Sequence, residues 1–129
     1  MKKSFLDSNI ILRYLLGESK ASSVEKLLKG RHKLILIDIV FAEVIWTLTR
    51  FYKWRKDRVI SFAASLLKIE NILANKKLLL VSLEIYKNHK VKYTDAYIAA
   101  SITEKGARDI YSFDRDFDKI PGVRRIEPK

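Results

Sequence analysis

KSFLDSNIILRYLLG, residues 3–17, decides how the rest of the chain is read. Lys3 to Asp7 reads as a short strand. It passes into a helical pattern carried by Ile10, Ile11, Tyr14 and Leu15, and Gly17 ends that pattern in the manner of a C-terminal cap. Asp7 therefore belongs at the carboxyl end of the first strand, where open parallel sheets bind their ligands. The same residue is also well suited to cap the helix that follows, and position alone leaves both roles open.

Outward from this stretch, the helical pattern returns over residues 20–29 through Val24, Leu27 and Leu28, and Gly30 stops it. Leu34 to Ile37 is a continuous apolar run, the kind buried on both faces in a parallel sheet. Asp38 is placed to cap a long helix bearing Phe41, Val44, Ile45, Leu48, Phe51 and Tyr52. Asp57 is placed to cap the next, carried by Val59, Phe62, Ala63, Leu66 and Leu67 and fraying near Asn71 to Asn75. Leu78 to Val81 reads as a third strand, with a short helix from Ser82 to about Asn88. A further helix covers Tyr93 to Lys105, with Gly106 past its end. Asp109 to Ser112 reads as a fourth strand, and Val123 to Ile126 as a fifth at an edge, since Arg124 and Arg125 interrupt its apolar character. Strands alternating with helices imply an α/β fold, a parallel sheet covered by helices on both faces.

The length, 129 residues, fits one domain over 1–129, with no repeat, low-complexity tract or linker. Apolar residues at 48% exclude a disordered chain. Without cysteine there is no disulfide, thiolate zinc site or cysteine nucleophile. The start resembles a secretory leader only until Asp7 cuts its apolar stretch, and no segment has the run of about eighteen apolar residues that a membrane span requires. A cytoplasmic protein is expected. Lysine and arginine number 26 against 15 acids, a formal net charge of +11, which suits a polyanionic partner such as nucleic acid as well as it suits plain solubility.

Against that basic background, four acids stand in or beside core-forming segments: Asp7, Glu43, Asp95 and Asp114. Burying an isolated carboxylate is costly, so acids placed there commonly hold a cation. Glu43 lies five residues beyond Asp38, too far for a capping box, and its neighbours Val40, Val44 and Thr47 are not lysines, so it is expected to face something charged elsewhere. Asp95 falls in the first turn of its helix, where an acid also favours the helix dipole. Asp114 opens Asp-Arg-Asp-Phe-Asp after the fourth strand. An EF-hand counted from it would need glycine where Lys119 stands and glutamate where Arg125 stands, so calcium is rejected and Asp116 is kept in reserve for Asp114. Oxygen-only ligation suits Mg2+ or Mn2+, which retain waters and accept phosphate oxygens.

The segments FLDSNIILRYL (5–15), VFAEVIWTL (40–48), YTDAYIAAS (93–101) and YSFDRDFDKIPGV (111–123) resemble, in order, those of the PIN-domain ribonucleases, in particular the VapC-type toxins. Asp7, Glu43, Asp95 and Asp114 match the four acids of that family, and Asn9 and Ser112 match the polar residues beside the first and fourth. The resemblance implies a three-layer α/β/α domain with a five-stranded parallel sheet, strands 1 and 4 adjacent, and a metal-dependent endoribonuclease. It also implies a homodimer inhibited by a small antitoxin. Its one departure is the short stretch from Val81 to Tyr93, which touches no acid. His32 and His89 are not needed by this chemistry.

For RNA, Arg50 to Arg58 interleaves cations with aromatics as a single-strand surface does, while the same residues also suit a helix end; Lys87, Lys90 and Lys92 precede Asp95. Competing readings are a housekeeping RNA-processing PIN nuclease and a non-catalytic RNA-binding PIN protein. A dehalogenase-type phosphatase would need aspartate where Asn9 stands. A receiver domain would need aspartate at Val81-Ser82.

Overall fold

In the computed structural model, which describes residues 2–129, the opening stretch forms β1 (Lys3–Phe5) and α1 (Ser8–Leu15). Asp7 caps the helix: its backbone is extended, and its side chain accepts a hydrogen bond from Ser8 N at 2.8 Å. This supplies a partner to one of the N–H groups that the first turn leaves unpaired. At the other end Leu16 N bonds Leu12 O, and Gly17 follows at φ +65°, a left-handed backbone that glycine adopts without Cβ strain.

The chain divides into two compact units, residues 1–76 and 77–129. In the first, α1 packs on α2 (Ala21–Lys29) and on α3 (Asp38–Trp46). The strand β1 pairs in parallel with β2 (Lys33–Ile35), and β2 with β3 (Ile72–Leu73), in the register Ser4↔Leu34↔Ile72. Leu34, Leu36 and Ile72 are fully buried, as are Ile11, Phe41, Val44, Ile45, Leu48 and Val59 from the helices. Each such side chain contributes about 1.5–3 kcal/mol relative to an exposed one. Beyond Trp46 the helix widens into one π-helical turn, Thr47–Phe51, before α4 (Lys56–Leu67). The Thr49 hydroxyl donates to Ile45 O at 2.7 Å and so competes for the acceptor that an α-helical Thr49 N–H would use.

The second unit holds α5 (Lys76–Asn88, apart from its first residue), α6 (Tyr93–Glu104), β4 (Asp109–Tyr111), a 3-10 turn (Arg115–Lys119) and β5 (Arg124–Ile126). The two strands pair in parallel with Ile110 opposite Arg125. The hydroxyls of Ser82 and Tyr93 are 2.8 Å apart and tie α5 to α6, and the rings of Tyr86 and Tyr93 meet edge to face.

The α/β class and the parallel pairing agree with the sequence expectations, and three details are corrected. Leu78–Val81 is not a strand but the first half of α5, while the third strand is the two-residue Ile72–Leu73. The strand pairings form ladders of three and of two instead of one continuous ladder of five. Asp38 and Asp57 are not N-caps: Ile37 and Arg55 hold those places, and both acids lie in the first turn, favourable to the helix dipole.

Candidate metal centre

Asp95 sits in the first turn of α6 and is only 5% exposed. Among the described residues its buried Oδ2 has no hydrogen-bond partner, a costly arrangement for a carboxylate unless a cation completes it. Burial pushes the Asp95 carboxyl above its ordinary value, Lys92 draws it down, and Asp114 and Asp116 push it up again. The last two acids are close: one carboxylate oxygen from each of Asp95, Asp114 and Asp116 lies within 4.8 Å of the others.

The loop after β4 is built to present those oxygens. Ser112 Oγ accepts from Asp114 N at 3.0 Å, and Asp114 Oδ1 accepts from Asp116 N at 2.9 Å, which caps the 3-10 turn. One oxygen of Asp114 is thereby committed to the backbone, and the other, Oδ2, stands 4.0 Å from Lys92 Nζ. Lys119 Nζ pairs with Asp116 Oδ1 at 3.0 Å and donates to Lys90 O. The side chains of Asp114 and Asp116 are 41% and 36% exposed, so the cluster is buried on the Asp95 side and open on the other. An all-carboxylate set with one orphaned buried oxygen and an open face fits a hard divalent cation such as Mg2+ or Mn2+.

The other unit carries the remaining acids. Asp7 and Glu43 are exposed, and the buried Ser8 hydroxyl donates a hydrogen bond to Glu43 Oε1. One Glu43 oxygen is thus taken by a neutral hydroxyl. Asn9 is exposed on α1.

Asp114 and Asp116, which the sequence offers as alternatives, both lie with Asp95. Sequence reasoning missed Ser8, whose place directly after Asp7 is the only signal, and Lys119, which it noted only as a residue that spoils a calcium loop. His32 Nε2 lies 2.8 Å from Ser4 Oγ.

The sequence profile of the PIN domain family matches residues 4–123. A curated relative, a VapC ribonuclease of Aquifex aeolicus, is 23% identical over 129 residues, 95% of each chain. Among solved structures, the chain is similar to Mycobacterium tuberculosis VapC20, a toxin that cleaves the sarcin-ricin loop. The TM-score is 0.41 and the identity 20%, over 94% of this chain and 98% of that one. It is also similar to VapBC2 of Rickettsia felis, solved bound to a promoter DNA fragment, with a TM-score of 0.40 and 18% identity over 99% of this chain and 100% of that one.

Proposed function

We propose, on the premise that this chain belongs to the PIN domain family, that it is a divalent-cation-dependent endoribonuclease and the toxin of a type II toxin–antitoxin pair. The observation that carries the proposal is the orphaned, buried Asp95 Oδ2 beside the carboxylates of Asp114 and Asp116. Asp7 and Glu43 are proposed to serve the same reaction; their support is the family match, which spans both of them as well as the second acid set. Asn9 and Ser112 are supporting residues, and the two units act as one PIN domain.

When bound, Mg2+ or Mn2+ supplies charge neutralisation at the phosphoryl oxygens and makes a water molecule more acidic. The chain's own residues do the rest. Asp95, Asp114 and Asp116 hold the cation, and the two hydrogen bonds from Asp114 N and Asp116 N fix the loop that carries them. Lys92 and Lys119, which pair with Asp114 and Asp116, are proposed to meet the phosphate backbone. Asp7 keeps one oxygen on Ser8 N, and Glu43 is held by the Ser8 hydroxyl, so each presents a fixed second oxygen. No side-chain nucleophile is required, because positioning and charge stabilisation are the main tasks.

The toxin assignment draws on the VapC ribonuclease relative, and it brings a small antitoxin and a second copy of the chain as proposed partners. Ile39 and Trp46, exposed on α3, offer apolar surface for them. The proposed compartment is the cytoplasm; among the described residues no helix is long and apolar enough to cross a membrane. The proposal is tested by incubating structured RNA with EDTA-treated protein: cleavage should appear on adding Mg2+ or Mn2+, and cleavage undiminished in EDTA would reject it.

RNA contact is also assigned to the segment from Arg50 to Arg58. There the Arg58 guanidinium lies 3.5 Å over the Trp54 ring, and Phe51 and Tyr52 are exposed. Replacing Arg55 and Arg58 by alanine is expected to raise KM several-fold with kcat unchanged. It should also flatten the dependence of log KM on log salt by about 0.7 for each phosphate that is no longer neutralised. An unchanged KM and salt slope would remove the segment from the RNA path.

A further inference from the structure

Arg125 lies in β5 with its side chain only 10% exposed, a degree of cover that arginine tolerates only when paired. Its partners belong largely to one loop. Nε and Nη2 bond Asp118 Oδ1 and Oδ2 at 3.1 and 3.3 Å, and Nη1 donates to the Ser112 carbonyl oxygen at 3.0 Å and to Glu127 Oε2. Ser112 and Asp118 bracket the acids. Ser112 accepts the Asp114 N–H on its hydroxyl, and Asp118 lies in the 3-10 turn that Asp114 caps. One guanidinium therefore ties both flanks of residues 112–118 to the strand. A planar fork does this with fixed geometry, where a lysine would supply only a point charge. Arg124, its neighbour in β5, makes a comparable fork to Asp109 at 2.9 and 2.8 Å, but that pair links β5 to β4 and touches neither flank of the acidic loop.

We infer that Arg125 is a positioning residue of the acidic centre: by holding Ser112 and Asp118 together it sets the spacing of Asp114 and Asp116 from Asp95, and with it cation affinity and turnover. The inference rests on the metal-dependent nuclease proposed above. Ligand sets tolerate displacements of only about 0.5 Å, so a loop freed at both flanks loses its ligand geometry before it loses its fold.

The test compares Mn2+ binding, measured from the paramagnetic resonance of free Mn2+, with kcat and KM for RNA cleavage and with circular dichroism, in wild type, Arg125→Met, Arg125→Lys and Arg124→Met. Arg125→Met should fold, bind Mn2+ about 10–100-fold more weakly and lose kcat by a similar factor with KM unchanged. Arg125→Lys should recover only part of this, and Arg124→Met should match wild type. Should Arg125→Met fail to fold, Asp118→Asn, which weakens the fork at nearly constant volume, is expected to show the same loss. The inference is overturned if a folded Arg125→Met or Asp118→Asn binds Mn2+ and turns over like wild type, or if Arg124→Met loses as much. If the wild type cleaves RNA without any divalent ion, it is the metal proposal that fails. Arg125 is then judged by kcat alone, and parity between Arg125→Met and Arg124→Met rejects its role.

Discussion

Asp95→Asn is expected to slow RNA cleavage by about a hundredfold or more and, in the absence of metal, to make the protein more stable than wild type at neutral pH. The first effect follows because losing part of a cation's charge stabilisation, worth several kcal/mol, costs a decade of rate for about each 1.4 kcal/mol. The second follows from burial. The Asp95 carboxyl is pushed up chiefly by desolvation, with Lys92 opposing and Asp114 and Asp116 adding to the rise, so its folded value lies above its unfolded one. With that sign, the group costs no stability while it is protonated in both states. Stability is then lost as the pH climbs from the ordinary carboxylate range through the raised folded value. Asparagine removes this loss. Melting in EDTA at pH 5 and pH 7.5 should show the mutant gaining on wild type at the higher pH. Mg2+ or Mn2+ should raise the melting temperature of wild type more than that of the mutant. A mutant less stable than wild type in EDTA at pH 7.5 would mean that Asp95 is a structural acid.

Asp7→Asn is the second substitution with a large expected effect, and its stability should hardly move. Asp7 caps α1 through a hydrogen bond from Ser8 N, and asparagine caps about as well as aspartate, so the melting temperature should stay close to that of wild type. Cleavage should nevertheless fall by about a hundredfold or more, since the charge is lost. Asp7→Ala separates the two roles: it removes the cap as well and should cost about 0.5–2 kcal/mol of stability in addition to the activity. Equal cleavage by wild type and Asp7→Asn, both folded, would reduce Asp7 to a helix cap.

Much of this was legible in the chain because its signals are local. The turn from β1 into α1, the stop at Gly30 and the Tyr93 helix each carry their own start or end residues. Leu78–Val81 misled because four apolar residues in a row fit a buried strand as well as a helix. The wider window resolves them: Leu78, Leu79, Ser82, Leu83 and Tyr86 are buried on one face of α5, while Leu80 and Val81 are partly exposed on the other. The real third strand has two residues, too few for any period to show. The π-helical turn at Thr47–Phe51 has no sequence signature beyond Thr49, whose hydroxyl takes a backbone acceptor. Among the residues proposed for the site, the acids stand out in the sequence because they interrupt or border apolar runs. Ser8, Lys119 and Arg125 do not, because a hydroxyl or a cation beside an acid is ordinary until distances show what it holds.

The central claim is that Asp95, Asp114 and Asp116 hold a hard divalent cation, and anomalous diffraction from a crystal grown with Mn2+ addresses it most directly. The account predicts a manganese peak bonded to Asp95 Oδ2 and to carboxylate oxygens of Asp114 or Asp116. A well-ordered crystal with Mn2+ bound elsewhere, and with Asp95 Oδ2 still lacking any cation, would contradict it.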